Sequence, residues 1–189
     1  MLKNYAKRTI ASLFVVCACA LGMPASAGSI AIDSAESEVV NEMYVVNADV
    51  AFAFSDDAIE AIKSGIALYI DVDFRISRVR RYLWDPDILT LSRRYQIERH
   101  ALTDRYVITD LVTDDRRTHD SLEAAVHDLG RIRGIPLAEA ALLDDTSEYR
   151  VELRARLDLE SLPAPLRPLA YISPSWRMSS GWYQWKITR

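Results

Sequence analysis

The chain is short of cysteine, glycine, proline and lysine, and each shortage excludes something. Its two cysteines, Cys17 and Cys19, both lie within the first twenty residues. The remaining sequence therefore has no disulfide, no cysteine nucleophile and no thiolate metal site. Six glycines and seven prolines in 189 residues are too few for a collagen-like or linker protein. Lysine occurs four times against nineteen arginines. Acidic residues outnumber basic ones, 27 to 23, which argues against nonspecific nucleic-acid binding. What is present is ordinary for a globular domain: 50% apolar, 26% charged and 9% aromatic residues.

The first residues read as an export signal. Lys3, Lys7 and Arg8 precede an uncharged, largely apolar run from Ile10 to Met23, then Pro24 and the small-residue site Ala25-Ser26-Ala27. The 14-residue run is short of the roughly 20 residues a membrane-spanning helix needs. A lipoprotein box is the weaker reading. Cys17 lacks the small residue before it, and Cys19 has Val16 where Leu is usual. Cleavage after Ala27 is expected, leaving a periplasmic domain that starts at Gly28. That removes both cysteines and changes the net charge from −4 to −7. Such a domain is held by its core rather than by disulfides.

Residues 28–41, with small residues and Asp33, Glu36 and Glu38, read as a flexible leader to a single domain over 42–189. Period-two alternation predicts strands over Tyr44–Phe54, Ile66–Ile76, Leu89–Ile97, Arg105–Leu111 and Tyr149–Leu159. Ser55, with Asp56 and Asp57, predicts a helix start, and Gly65 its end. Asp120 and Glu123 suggest a second helix start, and Gly130 a stop. Thr113–Thr118 reads as a loop, and Gly134–Leu143 as ambiguous with a short helix from Leu137. A turn is expected at Trp84-Asp85-Pro86-Asp87, a helical turn near Leu166, and one or two strands at the C-terminus. Alternating rather than solidly apolar strands argue for antiparallel sheet. The fold class is α+β, mainly antiparallel with two short amphipathic helices; a β-sandwich with helical connections is the alternative.

Two stretches carry a family resemblance. Leu91 to Tyr106 (LSRRYQIERHALTDRY) and Leu162 to Tyr171 (LPAPLRPLAY), with Ser173-Pro174-Ser175-Trp176-Arg177, resemble the signature of an uncharacterised proteobacterial family, domain of unknown function 4390. Ser121 to Ala125 and Gly130 to Ile132 fit as well, so the resemblance covers roughly Tyr44 to Ile187. It implies an exported protein of Gram-negative bacteria, encoded beside a membrane sensor kinase and its response regulator. It brings no catalytic residues.

No local motif supports an enzyme. There is no G-x-S-x-G elbow, and the three histidines have no local triad partners. His119 and His127 are eight positions apart, about 12 Å along a helix, too far to share one zinc ion. Asp71 and Asp73 share a strand face, but two carboxylates fall short of the six or more oxygens of a calcium site. The candidate contact residues for a partner or anion are therefore Arg75, Arg78, Arg80, Arg81, Arg93 and Arg94, with Trp176, Trp182 and Trp185 of the aromatic tail. Arginine forks bind carboxylate or phosphate, and Trp is enriched at interface hot spots. The competing reading pairs the arginines across strands with Asp71, Asp73, Glu98, Glu152 and Asp158, and closes the core with the tail. No cofactor is implied. The leading functional expectation is a non-enzymatic periplasmic accessory module whose partner is an envelope protein such as a sensor kinase. A carrier of lipid, glycan or another small molecule comes second, and an envelope enzyme using Asp/Glu pairs with a His third.

Overall fold

The computed structural model describes residues 27–80, 86–144 and 146–187. The export signal therefore lies outside the described residues but for Ala27, and so do Trp84 and Asp85 of the expected turn. Among the described residues there are nine strands: β1 Ser29–Val40, β2 Met43–Ala53, β3 Leu68–Arg78, β4 Asp87–His100, β5 Arg105–Asp110, β6 Asp115–His119, β7 Arg131–Glu139, β8 Tyr149–Leu157 and β9 Tyr183–Lys186. Three short helices join them: α1 Asp56–Lys63, α2 Leu122–Leu129 and α3 Arg167–Ile172. All pairings are antiparallel, in a three-stranded sheet β1-β2-β7 and a six-stranded sheet β6-β5-β4-β3-β8-β9. The mainly antiparallel α+β class thus holds, with the strands divided between two sheets.

One core lies between the sheets. Tyr44, Val46, Ala48 and Val50 of β2 meet Ile70, Val72, Phe74 and Ile76 of β3 and Val151, Leu153 and Ala155 of β8. Alternate positions on each strand stay at the surface, as the two-residue period of a strand requires. Ser55 caps α1, its Oγ accepting from the Ala58 N–H at 3.3 Å, and Gly65 ends it at φ +82°.

Four expectations need correction. The supposed leader is strand β1, paired with β2 from Ser29 opposite Ala53 to Val40 opposite Met43. A bulge between Ile32 and Ser34 switches its parity, so no single alternation runs through it. The β1–β2 turn is made by Asn41 and Glu42 at φ 50° and 63°, without the glycine that would have marked it. The polar loop at 113–118 contains β6, an edge strand of Asp115-Arg116-Arg117-Thr118-His119 with no apolar face. The ambiguous segment is β7, interrupted by Gly134 at φ +66° and Pro136, followed by a 3-10 turn at Ala140–Leu142. Pro136 is tolerated because β7 is the edge of its sheet. Finally, α2 is capped by Ser121, whose Oγ accepts from Ala124 N–H at 3.1 Å, rather than by Asp120.

Gly130 fixes where α2 meets β2. A Cβ there would lie 2.1 Å from the Val50 carbonyl oxygen, and the Val50 N–H donates to the Gly130 carbonyl at 2.9 Å. The glycine is required by close approach, since its φ of −71° is ordinary. Gly130→Ala should therefore lower unfolding stability by about 1–3 kcal/mol, measured by urea denaturation. An unchanged midpoint would show that helix and strand separate without cost.

Candidate functional site

The outer face of the large sheet is a charge lattice set by strand register. Asp71 stands opposite Arg94 on β4 and Arg156 on β8, and Asp73 opposite Ser92 and Arg154. Arg156 reaches Asp71 at 3.0 Å and Asp73 at 3.3 Å, Arg154 reaches Asp73 at 2.8 Å, and Arg94 lies 3.6 Å from Asp71. Arg94 also pairs with Asp158 and donates to Ser161 at 2.6 Å. Arg75 bridges Asp87 and Glu152, at 3.4 and 3.3 Å. Arg78 reaches Asp144 at 2.7 Å and the Tyr149 hydroxyl at 3.2 Å. Of the candidate arginines, Arg75, Arg78 and Arg94 are thus held by the protein's own acids. Arg80 lies just past β3 and also has partners; Arg81 lies outside the described residues.

The lattice shapes the titration of its acids. Burial works against the charged form of Asp73, but the Arg154 and Ser92 hydrogen bonds and the Arg156 charge outweigh it and hold its carboxyl below the ordinary 3.8. Asp144 is held lower still by the Thr146 and Ser147 hydroxyls, with Tyr149 adding to them.

The aromatic tail closes the sheet. Trp176 is buried, 6% exposed, in a 3-10 turn. Trp182 lies under the guanidinium carbons of Arg75 and Arg154, each 4.5 Å from its ring centre. Trp185 packs against the core, and its Nε1 donates to Ser37 Oγ of β1 at 3.2 Å.

Arg93 has the opposite parity and faces the interior. It is 8% exposed, as is Asp110, its nearest acid at 4.0 Å. Its Nε and Nη1 are buried without a hydrogen-bond partner among the described residues. Asp110 Oδ1 instead accepts from the Val112 and Thr113 N–H groups at 2.8 and 3.3 Å. Burial, with Asp110 beside it, pushes the Tyr95 phenol up to about 12. Arg117 and His119 both reach Asp128, at 2.7 and 3.0 Å, so α2 is tied to β6. His119 and His127 do not converge: His127 lines a groove on α2, described next.

The groove, of about 840 Å³, lies beside the end of β2. Its strand wall is the unbroken run Asp49 to Phe54; Ile59 of α1 and Leu122 and Val126 of α2 form the helical walls. Phe52 and Phe54 stack with ring centres 6.0 Å apart and an interplanar angle of 15°. Lys63, Glu123, Asp33 and Arg131 stand on the rim. None of these residues was singled out from sequence, where they read as core or as surface charge. Alternation marks which face of a strand is apolar, but not where its neighbour strand ends. The groove exists because β7 leaves β2 at Arg131, opposite Asp49.

Two packed antiparallel sheets with an apolar groove at one strand end make up a small β-rich domain. The chain belongs to the family described as domain of unknown function 4390, whose pattern matches residues 27–186. That match includes β1, which the resemblance read from sequence did not reach. No curated protein and no solved structure matches the chain. No described helix is long and apolar enough to cross a membrane.

Two measurements check the electrostatic account. Asp73→Asn should reduce stability at neutral pH and flatten the acid limb of a stability–pH curve. A depressed carboxylate contributes fully above its unfolded value near 3.8 and loses that contribution as pH falls through its folded value. An acid limb as steep as wild type would refute it. Asp110→Asn keeps the acceptor for the turn but leaves Arg93 buried without its counter-charge, at a cost of about 3 kcal/mol. Adding Arg93→Met should recover most of that loss; if the double variant is no more stable than the single one, the pair is not coupled.

Proposed function

We propose that this chain is an exported, non-enzymatic accessory module that captures an envelope partner in the α1–β2–α2 groove. The observation that carries the reading is the groove itself. Its aromatic and aliphatic walls stay open to an occupant, whereas the arginine lattice is engaged by internal acids. Pockets that bind ligands are typically mostly apolar with a few polar groups at the edge, which is the character of this one. The N-terminal pattern ending at Ala27 supports a periplasmic location in a Gram-negative cell. The resemblance to a family encoded beside sensor kinases supports the extracytoplasmic segment of such a kinase as the partner. An accessory protein of this kind shifts a sensor's equilibrium by binding its two states unequally.

The apolar lining also favours the carrier reading, in which a lipid or another small apolar molecule fills the same space. A photoreactive amino acid at Val126 in the groove, compared with one at Gln184 on the lattice face, separates the two in the native host. Crosslinking to a defined envelope protein from position 126 and not from 184 is the expected result. A protein adduct from 184 alone would move the binding surface to the lattice. A purified protein whose native mass includes a lipid, with no adduct at 126, would make it a carrier.

A further inference from the structure

Taking the groove as the binding surface, we infer that its occupant is an extended peptide segment of the partner, added as a strand to the free edge of β2. Successive side chains of a strand point to opposite faces, so a groove lying over one face would be lined at every second residue. Here six consecutive residues, Asp49 to Phe54, line it. The groove therefore runs along the edge of the strand. Val50 donates its N–H toward the β7 side, to Gly130. Phe52, two residues on, turns its N–H and C=O to that same side, past the last β2–β7 pair at Asp49 and Arg131. An added strand would continue the line that β7 abandons.

The chemistry of that edge selects the occupant. An acyl chain would cover the Phe52 main-chain groups without bonding them, and a buried unpaired amide is costly. A peptide main chain bonds them, while its alternate side chains enter the space among Phe52, Phe54, Ile59, Leu122 and Val126. The rim gives the same answer. Lys63 and Arg131 stand with Asp33, Asp49 and Glu123 around it; Asp49 is paired with Arg133 and also feels the charge of Arg131. Charge of both signs, with acids in slight excess, complements a segment that mixes polar residues with apolar ones rather than a polyanion. The close approach of Gly130 to Val50 blocks one end and β2 ends at Ala53, so the added strand is short.

The probes are a pool of acetylated, amidated hexapeptides alternating Val, Leu or Phe with Thr or Ser, the same pool N-methylated at alternate amides, and laurate. Each is added to the purified protein, and amide hydrogen exchange and chemical shifts are read by NMR. The expected result is slowed exchange at Phe52, shifts at Ile59 and Val126, binding of the methylated pool weaker by about tenfold, and no displacement by laurate. Val126→Lys, with an unchanged circular dichroism spectrum, should abolish the effect. Equal binding of both pools, or laurate binding alone, would overturn strand addition while leaving the groove as the binding surface. If no probe perturbs a groove residue, both this inference and the proposed function fall.

Discussion

The alternation of charge and hydrocarbon across β3 is the constraint on which the rest of the molecule depends. Asp71 and Asp73 meet Arg94, Arg154 and Arg156 on one face, while Ile70, Val72, Phe74 and Ile76 fill the core on the other. Sliding β3 by one residue against β4 or β8 would bury two carboxylates and expose four large apolar side chains, so a single register is strongly favoured. The arginines of these pairs are partly exposed while the carboxylates are nearly covered, and each pair alone is modest. Their weight lies in fixing which residues face each other, and every later strand in the sheet inherits that choice. Arginine suits the task better than lysine, because its planar fork can bridge two acids. Arg156 does so between Asp71 and Asp73, and Arg75 between Asp87 and Glu152. The composition that suggested an anion-binding surface thus reflects how the sheet is held together.

Where alternation was strong, the sequence was legible. β2, β3, β4 and β8, the cap at Ser55 and the stop at Gly130 all lie where residue pattern and turn chemistry place them. Three strands were not legible, each for a local reason. The bulge after Ile32 breaks the parity of β1, and its small residues weaken the contrast between faces. β6 carries no apolar residue, and is a strand only because β5 is beside it. β7 combines a left-handed glycine with a proline, which read as loop until the edge position makes them tolerable.

The groove was illegible for a different reason. Phe52, Phe54, Ile59, Leu122 and Val126 look in sequence like any other core residues. What sets them apart is that β7 leaves β2 at Asp49, four residues before the β1–β2 pairing ends at Ala53, where the chain turns away at Gly130 against Val50. A free strand edge is a property of pairs of elements, so no window of one segment reports it. Arg93 illustrates the same limit: its neighbour Arg94 belongs to the lattice, yet one position along the strand turns Arg93 inward toward Asp110.

The contact between Trp185 and Ser37 joins strands from opposite ends of the chain, 148 positions apart. A polypeptide made from its N-terminus cannot complete this closure until Trp185 has emerged. β1 must wait for β9, and the flank of the core that Trp185 covers stays wet in the meantime. Closing so long a span is slow compared with forming the hairpins along the way. Any stage in which the other strands have formed and this seam is still open would present exposed edges, which favour association with other chains. The last strand is only four residues long, yet its arrival ends that exposure.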